Sequence, residues 1–464
     1  GSGADRFGSL KAPDHIFRQY DIRGLVDAEL TPEVCEGVGR AYSTMAHQHL
    51  GRPPLIAVGQ DNRPSSPALA EGLIRGLNSS GADVINLGTV PTPTVYWAEQ
   101  TLPTDGGIQI TGSHNPPEWN GIKMTLQAMS VYGDQIQALK GAIHRGEFRE
   151  GAGTSERIDI LERYVADLAG RFDLSRPVKV VLDCGNGVGS LVGVALLEAL
   201  GAEVIPLYCE SDGTFPNHHP DPTVDEYLVD LIEAVRREGA EVGIGFDGDA
   251  DRIGAIDEHG QIIRGDLLLL LFGLDVLRTK GRGQSLVFDV KCSQVVEDEF
   301  SKAGGEAIMW KTGHSLIKEK MRETNAALGG ELSGHICLAD NYFGFDDAPY
   351  AACRLVDLIA RSGRTLSEMV SDFPVYVSTP ELRIEVTEET KFAIVEAAQK
   401  HFRETRDVID VDGARVKFDG GWGLLRASNT QPILVARYEA ETEEQLTAIR
   451  GEMESWLRTK GVEV

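Results

Sequence analysis

Ser113 and His114 stand side by side in QITGSHNPPEWNGIKM (109–124), between Gly112 and the Pro116–Pro117 pair. A serine there could be a nucleophile, carry a phosphate, or only shape a turn. Its histidine neighbour does not make a hydrolase, because a base must face the hydroxyl in space rather than along the chain. FDGDADR places Asp247, Asp249 and Asp251 at alternate positions. Three carboxylates so close repel one another, and a hard divalent cation relieves the repulsion. An EF-hand is excluded: Glu258 falls at the twelfth position, but Arg252 occupies the sixth, where glycine is needed, and apolar strand residues flank the loop. A Mg²⁺ site with part of its shell open to a phosphate oxygen fits better.

GGELSGH (329–335) gathers a carboxylate, a hydroxyl and an imidazole. Glu331 and Ser333 alternate, so an extended backbone points both the same way, which suits bidentate contact to neighbouring sugar hydroxyls, although taken alone the loop reads equally well as an ordinary capped turn. RASNTQP (426–432) offers a guanidinium, two hydroxyls, an amide and backbone donors in a short turn, which suits a phosphate dianion. Arg23, Lys123 and Lys291 are further basic candidates. CGNGVGS (184–190) imitates a dinucleotide fingerprint, with Glu210 near the place of a ribose-binding acid, but its third glycine is displaced. The sister segments carry no such glycines, so nicotinamide binding is rejected.

One unit recurs behind these loops. Residues 55–88, 178–208 and 285–310 each read as strand, acidic turn, helix, glycine stop and strand. Such alternation implies parallel βαβ units with helices on the sheet faces. A strand running into a polar loop follows each unit: GGIQITGSHNPPEWNGIKM, EVGIGFDGDADRIGAI and AALGGELSGHICLA. Loops that share one place in a repeated topology could face one shared cleft. From about 374 the pattern changes to an antiparallel α+β domain. Its strands are LRIEVTEE, DVIDV, ARVKF, GWGLLRAS and ILVARYEA, its helices lie near 389–403 and 442–459, and Asp412–Gly413 marks a hairpin. The expected division is 1–158, 159–261, 262–373 and 374–464.

At 464 residues the chain is too long for one core; about 100–200 residues per domain suggests three or four. A net charge of −26 argues against a nucleic-acid partner, which would need a basic footprint. A small anion can still bind where the few basic residues gather. Six cysteines with no C-x-x-C read as buried free thiols of a reducing compartment. LLLLLFGLDVL (267–277) is too short to span a bilayer and contains Asp275, so a core helix is expected and no membrane partner. The opening GSG reads as a cloning remnant with no signal peptide after it, and the expected location is cytoplasmic.

Taken in order over the whole chain, TGSHNPPEWNG, DGDADR, GGELSGH and RASNTQP resemble the α-D-phosphohexomutases. With FRQYDIRG near the start and KTGHS at 311–315, the likeness is greatest to the bacterial phosphomannomutase/phosphoglucomutase branch. The resemblance implies an α/β protein of four domains around a deep central cleft, three built on βαβ units and the last a mobile, lid-like α+β domain. It implies a phosphorylated Ser113, with Asp247, Asp249 and Asp251 holding Mg²⁺ against that phosphate. Glu331 and Ser333 would hold sugar hydroxyls; Arg426, Ser428, Asn429 and Thr430 would hold the non-reacting phosphate. Tyr20, Arg23, Lys123, Arg252, Lys291, His314 and His335 are implied as substrate-binding and acid–base residues, with His114 beside the serine. Leu332 and Asn429 favour the mannose/glucose enzymes over phosphoglucosamine mutases, which usually carry Gln and Gly there. Ala250 replaces a glycine common in the metal loop, and its methyl group is expected to keep φ negative.

The reaction implied is reversible exchange of hexose 1-phosphate and hexose 6-phosphate, in both the glucose and mannose series. Ser113 would give its phosphoryl group to the free hydroxyl, and the bisphosphate would turn end for end and return its other phosphate. Glucose 1,6-bisphosphate would prime the serine. His335, Lys123 and His114 are the candidates for moving the hydroxyl proton, with His335 preferred. The substrates would be glucose 1- and 6-phosphate and mannose 1- and 6-phosphate, and the working state a monomer. Competing readings are phosphoglucosamine mutase, a Mg²⁺-dependent sugar phosphatase and a non-catalytic sugar-phosphate sensor.

Overall fold

The computed structural model describes residues 12–464; the opening GSG and the rest of residues 1–11 lie outside the described residues. Two compact units emerge. The first takes the chain up to Leu268 together with Ser333–Met369; the second takes Leu269–Leu332 and Val370–Val464.

In the first unit, apolar runs expected to be buried on both faces form the middle of a mixed sheet. Its path is Ile22–Leu25, Trp119–Leu126, Gly106–Ile110, Leu55–Gln60, Asp83–Thr89 and Ser155–Arg157. Leu55–Gln60 runs parallel to both neighbours, and Gly106–Ile110 is then joined antiparallel to Trp119–Leu126. Helices Pro32–Leu50 and Ser66–Ser79 bury Val34, Val38, Leu69 and Leu73 in one core with Ile56, Val58 and Ile108. Thr31 starts the first of these helices as an N-cap, its hydroxyl accepting from Val34 N–H at 3.1 Å.

A second sheet repeats the device in the order Ile262–Ile263, Ile253–Asp257, Val242–Phe246, Lys179–Asp183 and Glu203–Leu207. Val242–Phe246 runs parallel to Lys179–Asp183 and antiparallel to its return strand Ile253–Asp257. Ser113 and the three aspartates therefore lie on equivalent strand-to-return-strand connections. Helix Ala348–Ser362, N-capped by Asp347 on Tyr350 N–H, completes this unit.

In the second unit, Ser285–Asp289 lies parallel to Glu306–Trp310 and to Leu328–Gly330. The run 267–277 forms helix Gly265–Lys280, with Leu268 to Phe272 buried, as its uninterrupted apolar composition requires. No helix among the described residues is long and apolar enough to cross a membrane. The C-terminal sheet follows the path Val377–Ser378, Ile433–Ala440, Gly421–Ala427, Ala414–Phe418 and Val408–Ile409, and Leu382–Glu385 also pairs with Ile433–Ala440. Every described pairing in it is antiparallel. Helices Lys391–Arg403 and Glu443–Thr459 bury Val395, Ala398, Phe402, Leu446, Ile449 and Met453 against it.

Candidate active site

Ser113 is held in a backbone conformation that serine seldom takes, with φ at +56°. Such strain persists only where the surroundings over-determine it, and Arg63 does so. Its wholly buried guanidinium donates to four carbonyls of one loop: Ser113 at 3.2 Å, Asn115 at 2.7 Å, Pro116 at 2.6 Å and Trp119 at 3.2 Å. Asp61 accepts from Arg63 Nε at 2.9 Å and from Gly112 N–H at 3.0 Å. Thr111 Oγ1 accepts from Ser113 N–H at 2.9 Å. Across from this loop, a Cβ on Gly248 would lie 2.2 Å from Ser113 O. Only glycine lets the aspartate loop approach the serine so closely.

Ser113 Oγ lies 3.5 Å from both Asp247 Oδ2 and Asp249 Oδ1, and 3.1 Å from His114 Nδ1. Asp247, Asp249 and Asp251 are fully buried, and each offers an oxygen within 4.8 Å of the others. Burial and the neighbouring carboxylates push Asp247 and Asp249 above the ordinary carboxylate range. Burial also acts to raise Asp251, but Lys123, His335 and Asp247 together outweigh it and hold that carboxyl well below the range. Lys123 Nζ donates to Asp249 Oδ2 and Asp251 Oδ2 at 2.8 Å each. Arg252 Nε donates to Asp247 Oδ2 at 3.1 Å. Among the described residues Asp251 Oδ1 is buried with no hydrogen-bond partner. An all-oxygen donor set with a buried orphan atom fits a hard divalent cation.

The three candidates for proton transfer differ sharply. Burial drives the His114 imidazole well below its usual value, and Arg252, Arg23 and Lys123 add to the effect. Burial would lower Lys123 too, but Asp249 and Asp251 prevail and hold its ammonium charged. His335 has its Nδ1 2.9 Å from Asp346 Oδ2 and 3.9 Å from Asp251 Oδ2. Asp346 is fully buried. That pairing orients the ring and directs the proton to Nδ1.

Arg23 reaches the serine loop through Asn115 Oδ1 at 2.5 Å and is tethered to Asp21, also at 2.5 Å. Tyr20 is half-buried, its ring 6.2 Å from that of Tyr132. The second unit holds the other candidates. Lys291 Nζ donates to Glu381 Oε1 at 3.2 Å, and Glu381, Asp289 and Glu331 hold its ammonium up against burial and Arg426. Glu331 Oε2 accepts from Gly313 N–H at 2.8 Å, beside His314 at the start of helix His314–Thr324. Arg426 Nε donates to Asp412 Oδ2 at 3.2 Å. Ser428 Oγ accepts from Thr430 N–H and Gln431 N–H at 3.2 Å each, a turn that leaves Asn429 and Thr430 exposed.

Three expectations need correction. The strand before Glu331 ends at Gly330, and 332–334 is a turn with Gly334 at φ +93°, so Glu331 and Ser333 do not project from one extended segment. Ala250 does not keep φ negative: it stands at +62°, the conformation a glycine would take freely. Of the six cysteines, Cys209 is only partly buried. The glycine-rich turn 184–190 supports the aspartate loop. Val188 N–H donates to Gly248 O at 3.0 Å, and the Cβ of Ala250 packs where a side chain on Gly189 would stand.

Family models agree with this geometry. Phosphoglucomutase/phosphomannomutase alpha/beta/alpha domains I, II and III match residues 14–150, 162–260 and 264–376, and the C-terminal domain of the same family matches 381–455. The chain belongs to the phosphoglucomutase/phosphomannomutase family. It is 47% identical over 440 residues to a phosphomannomutase/phosphoglucomutase of Pseudomonas aeruginosa, covering 94% of each chain. A phosphoglucomutase of Neisseria gonorrhoeae is 43% identical over 443 residues, covering 94% of this chain and 95% of that one. The crystal structure of a family protein from Burkholderia thailandensis superposes with a TM-score of 0.90 at 39% identity, covering 96% and 98%.

Within this phosphohexomutase the motif residues are those whose chemistry is local. Arg63 and Asp346 were not legible. Asp346 follows His335 by 11 positions in a segment with no metal or catalytic spacing, and Arg63 sits 50 positions before the serine it anchors. DNRP at 61–64 was visible only as an acidic turn.

Proposed function

We propose that this enzyme interconverts hexose 1-phosphates and hexose 6-phosphates through a phosphorylated Ser113 and a hexose 1,6-bisphosphate. The observation that carries the proposal is the Ser113 hydroxyl, on a strained turn, 3.5 Å from two of three buried aspartates. A phosphoserine brings a charge of about −1.5 to −2, which the aspartates alone would repel. Asp247, Asp249, Asp251 and Ser113 would hold Mg²⁺, which supplies electrophilic charge to the phosphate oxygens.

Lys123 and Arg252, both fixed on aspartates, keep positive charge beside the transferring group. Arg23 keeps the serine loop in register through Asn115. His335, oriented by Asp346, takes the proton of the attacking hydroxyl and returns one to the leaving oxygen in the reverse half. Glu331 and Ser333 read the 3- and 4-hydroxyls, which look alike after the bisphosphate reorients, while Arg426, Ser428, Asn429 and Thr430 bind the resting phosphate. Tyr20, Lys291 and His314 complete substrate binding. Leaving the 2-hydroxyl unread gives activity on both glucose and mannose phosphates. Glucose 1,6-bisphosphate primes the serine, and the enzyme works as a cytoplasmic monomer.

The test is conversion of glucose 1-phosphate, mannose 1-phosphate and glucosamine 1-phosphate with Mg²⁺ and catalytic bisphosphate, with inorganic phosphate followed in parallel. The expected result is comparable turnover of the first two sugars, little of the third, and phosphate release far below the isomerisation rate. Steady phosphate release without isomerisation would make the enzyme a phosphatase.

A further inference from the structure

Cys184 and Cys209 leave neighbouring parallel strands of the second sheet. Asp183 pairs with Leu207, and the alignment continues as Asn186 N–H donates to Tyr208 O at 2.8 Å. By that register Cys184 stands opposite Tyr208, one residue before Cys209, so it is the side chains that bring the pair together. The two sulfurs are 3.1 Å apart and share a hydrogen bond, yet both are free thiols. Cys184 is buried, whereas Cys209 is partly exposed. The other four, Cys35, Cys292, Cys337 and Cys353, are all buried.

We propose that Cys184 and Cys209 are a redox-active dithiol that closes to an intrachain disulfide when a hydroperoxide reaches the partly exposed Cys209. The division of labour follows from the surroundings. Cys209 is the partly exposed thiol that a peroxide can reach, whereas the bond to Cys209 together with burial keeps Cys184 protonated. The Cys209 thiolate attacks the terminal peroxide oxygen. An S–O bond forms, the O–O bond breaks, and the departing oxygen takes a proton to leave as water or alcohol. The peroxide is reduced and Cys209 becomes a sulfenic acid. The Cys184 sulfur then attacks that sulfur; the S–S bond forms, the S–O bond breaks, and the hydroxyl leaves with the Cys184 proton as water.

Closure draws the sulfurs from 3.1 Å to about 2.05 Å. Cys184 opens the turn whose Val188 N–H holds Gly248 O between Asp247 and Asp249. The disulfide therefore pulls on the support of the aspartate loop and slows turnover; this consequence rests on the function proposed above, whereas the disulfide itself does not.

The test treats the reduced full-length enzyme with hydrogen peroxide, blocks free thiols by alkylation and maps peptides without reduction. The expected product is a Cys184–Cys209 cross-linked peptide lighter by two hydrogen atoms, reversed by dithiothreitol, with mutase rate lost on oxidation and regained on reduction. Cys209→Ser should form no cross-link and keep its rate after peroxide. Cys184→Ser should leave Cys209 as a sulfenic acid that dimedone captures. Alkylation of both cysteines after peroxide, or sulfinic acid on Cys209 beside a free Cys184, would overturn the site. A cross-linked enzyme at full rate would overturn the link to the aspartate loop.

Discussion

Ser113 and Ala250 adopt the same left-handed backbone, at φ +56° and +62°, on the two loops that meet at Gly248. A non-glycine residue there costs on the order of 1–3 kcal/mol. The type of each residue was plain in the chain, but neither dihedral could be read from it, because packing against a neighbouring loop imposes both. The same limit hid Asp346. A lone histidine in GGELSGH declares an imidazole and says nothing of the carboxylate that aims it. If Asp346 sets the His335 proton, Asp346→Asn should lower kcat by about tenfold or more and leave KM within about twofold, since general acid–base catalysis contributes ~10²–10⁴. The pH profile of kcat should shift as well. Steady-state kinetics across pH decides the point: an unchanged profile would reduce Asp346 to a packing role.

At the scale of elements, the repeated strand–helix–strand pattern was legible because apolar runs and glycine stops are local signals. The clamp on the serine loop was not, because Arg63 acts on carbonyls far along the chain. Replacing it by lysine keeps the charge but loses the planar fork that serves four acceptors. A buried acceptor left without its donor typically costs about 1–3 kcal/mol. Arg63→Lys is therefore expected to lower the thermal unfolding midpoint and slow phosphorylation of Ser113, while wild-type values for both would remove the clamp from the account.

The segment 209–222 carries a pH-dependent contact. His218 Nε2 lies 2.8 Å from Asp183 Oδ2 and its Nδ1 lies 2.7 Å from His219 O, so both nitrogens face acceptors, which favours the imidazolium. Burial alone would lower its pKa, but Asp183 and the His219 carbonyl raise it above the ordinary value. A raised histidine contributes stability that is fully present below the unfolded value of about 6.5 and is lost as pH rises through the folded value. NMR titration should find His218 above the free-imidazole value in the wild type and below it in Asp183→Asn, where burial remains without the carboxylate. Equal values in the two proteins would contradict this reading.

For the whole molecule, a charge of −26 argues against a nucleic-acid partner and raises the question of how so acidic a chain handles anions. It does so by concentrating cations: Arg63, Lys123 and Arg252 lie at the serine and aspartate loops in one unit, and Lys291 and Arg426 influence each other in the other. The antiparallel C-terminal sheet and the three parallel-based sheets were legible from periodicity and turn residues. The division into two compact units was not, because Leu269–Leu332 joins the C-terminal segment while Ser333–Met369 joins the first unit, which cuts through a single family domain.

The central claim is that Ser113 carries the phosphate. Incubation with glucose 1,6-bisphosphate and Mg²⁺, followed by phosphosite mass spectrometry of wild type and Ser113→Ala, tests it directly. The account predicts phosphate on Ser113 of the wild type, removed by adding a hexose monophosphate, and none in the variant. A wild type that consumes the bisphosphate without ever carrying phosphate on Ser113 would contradict it.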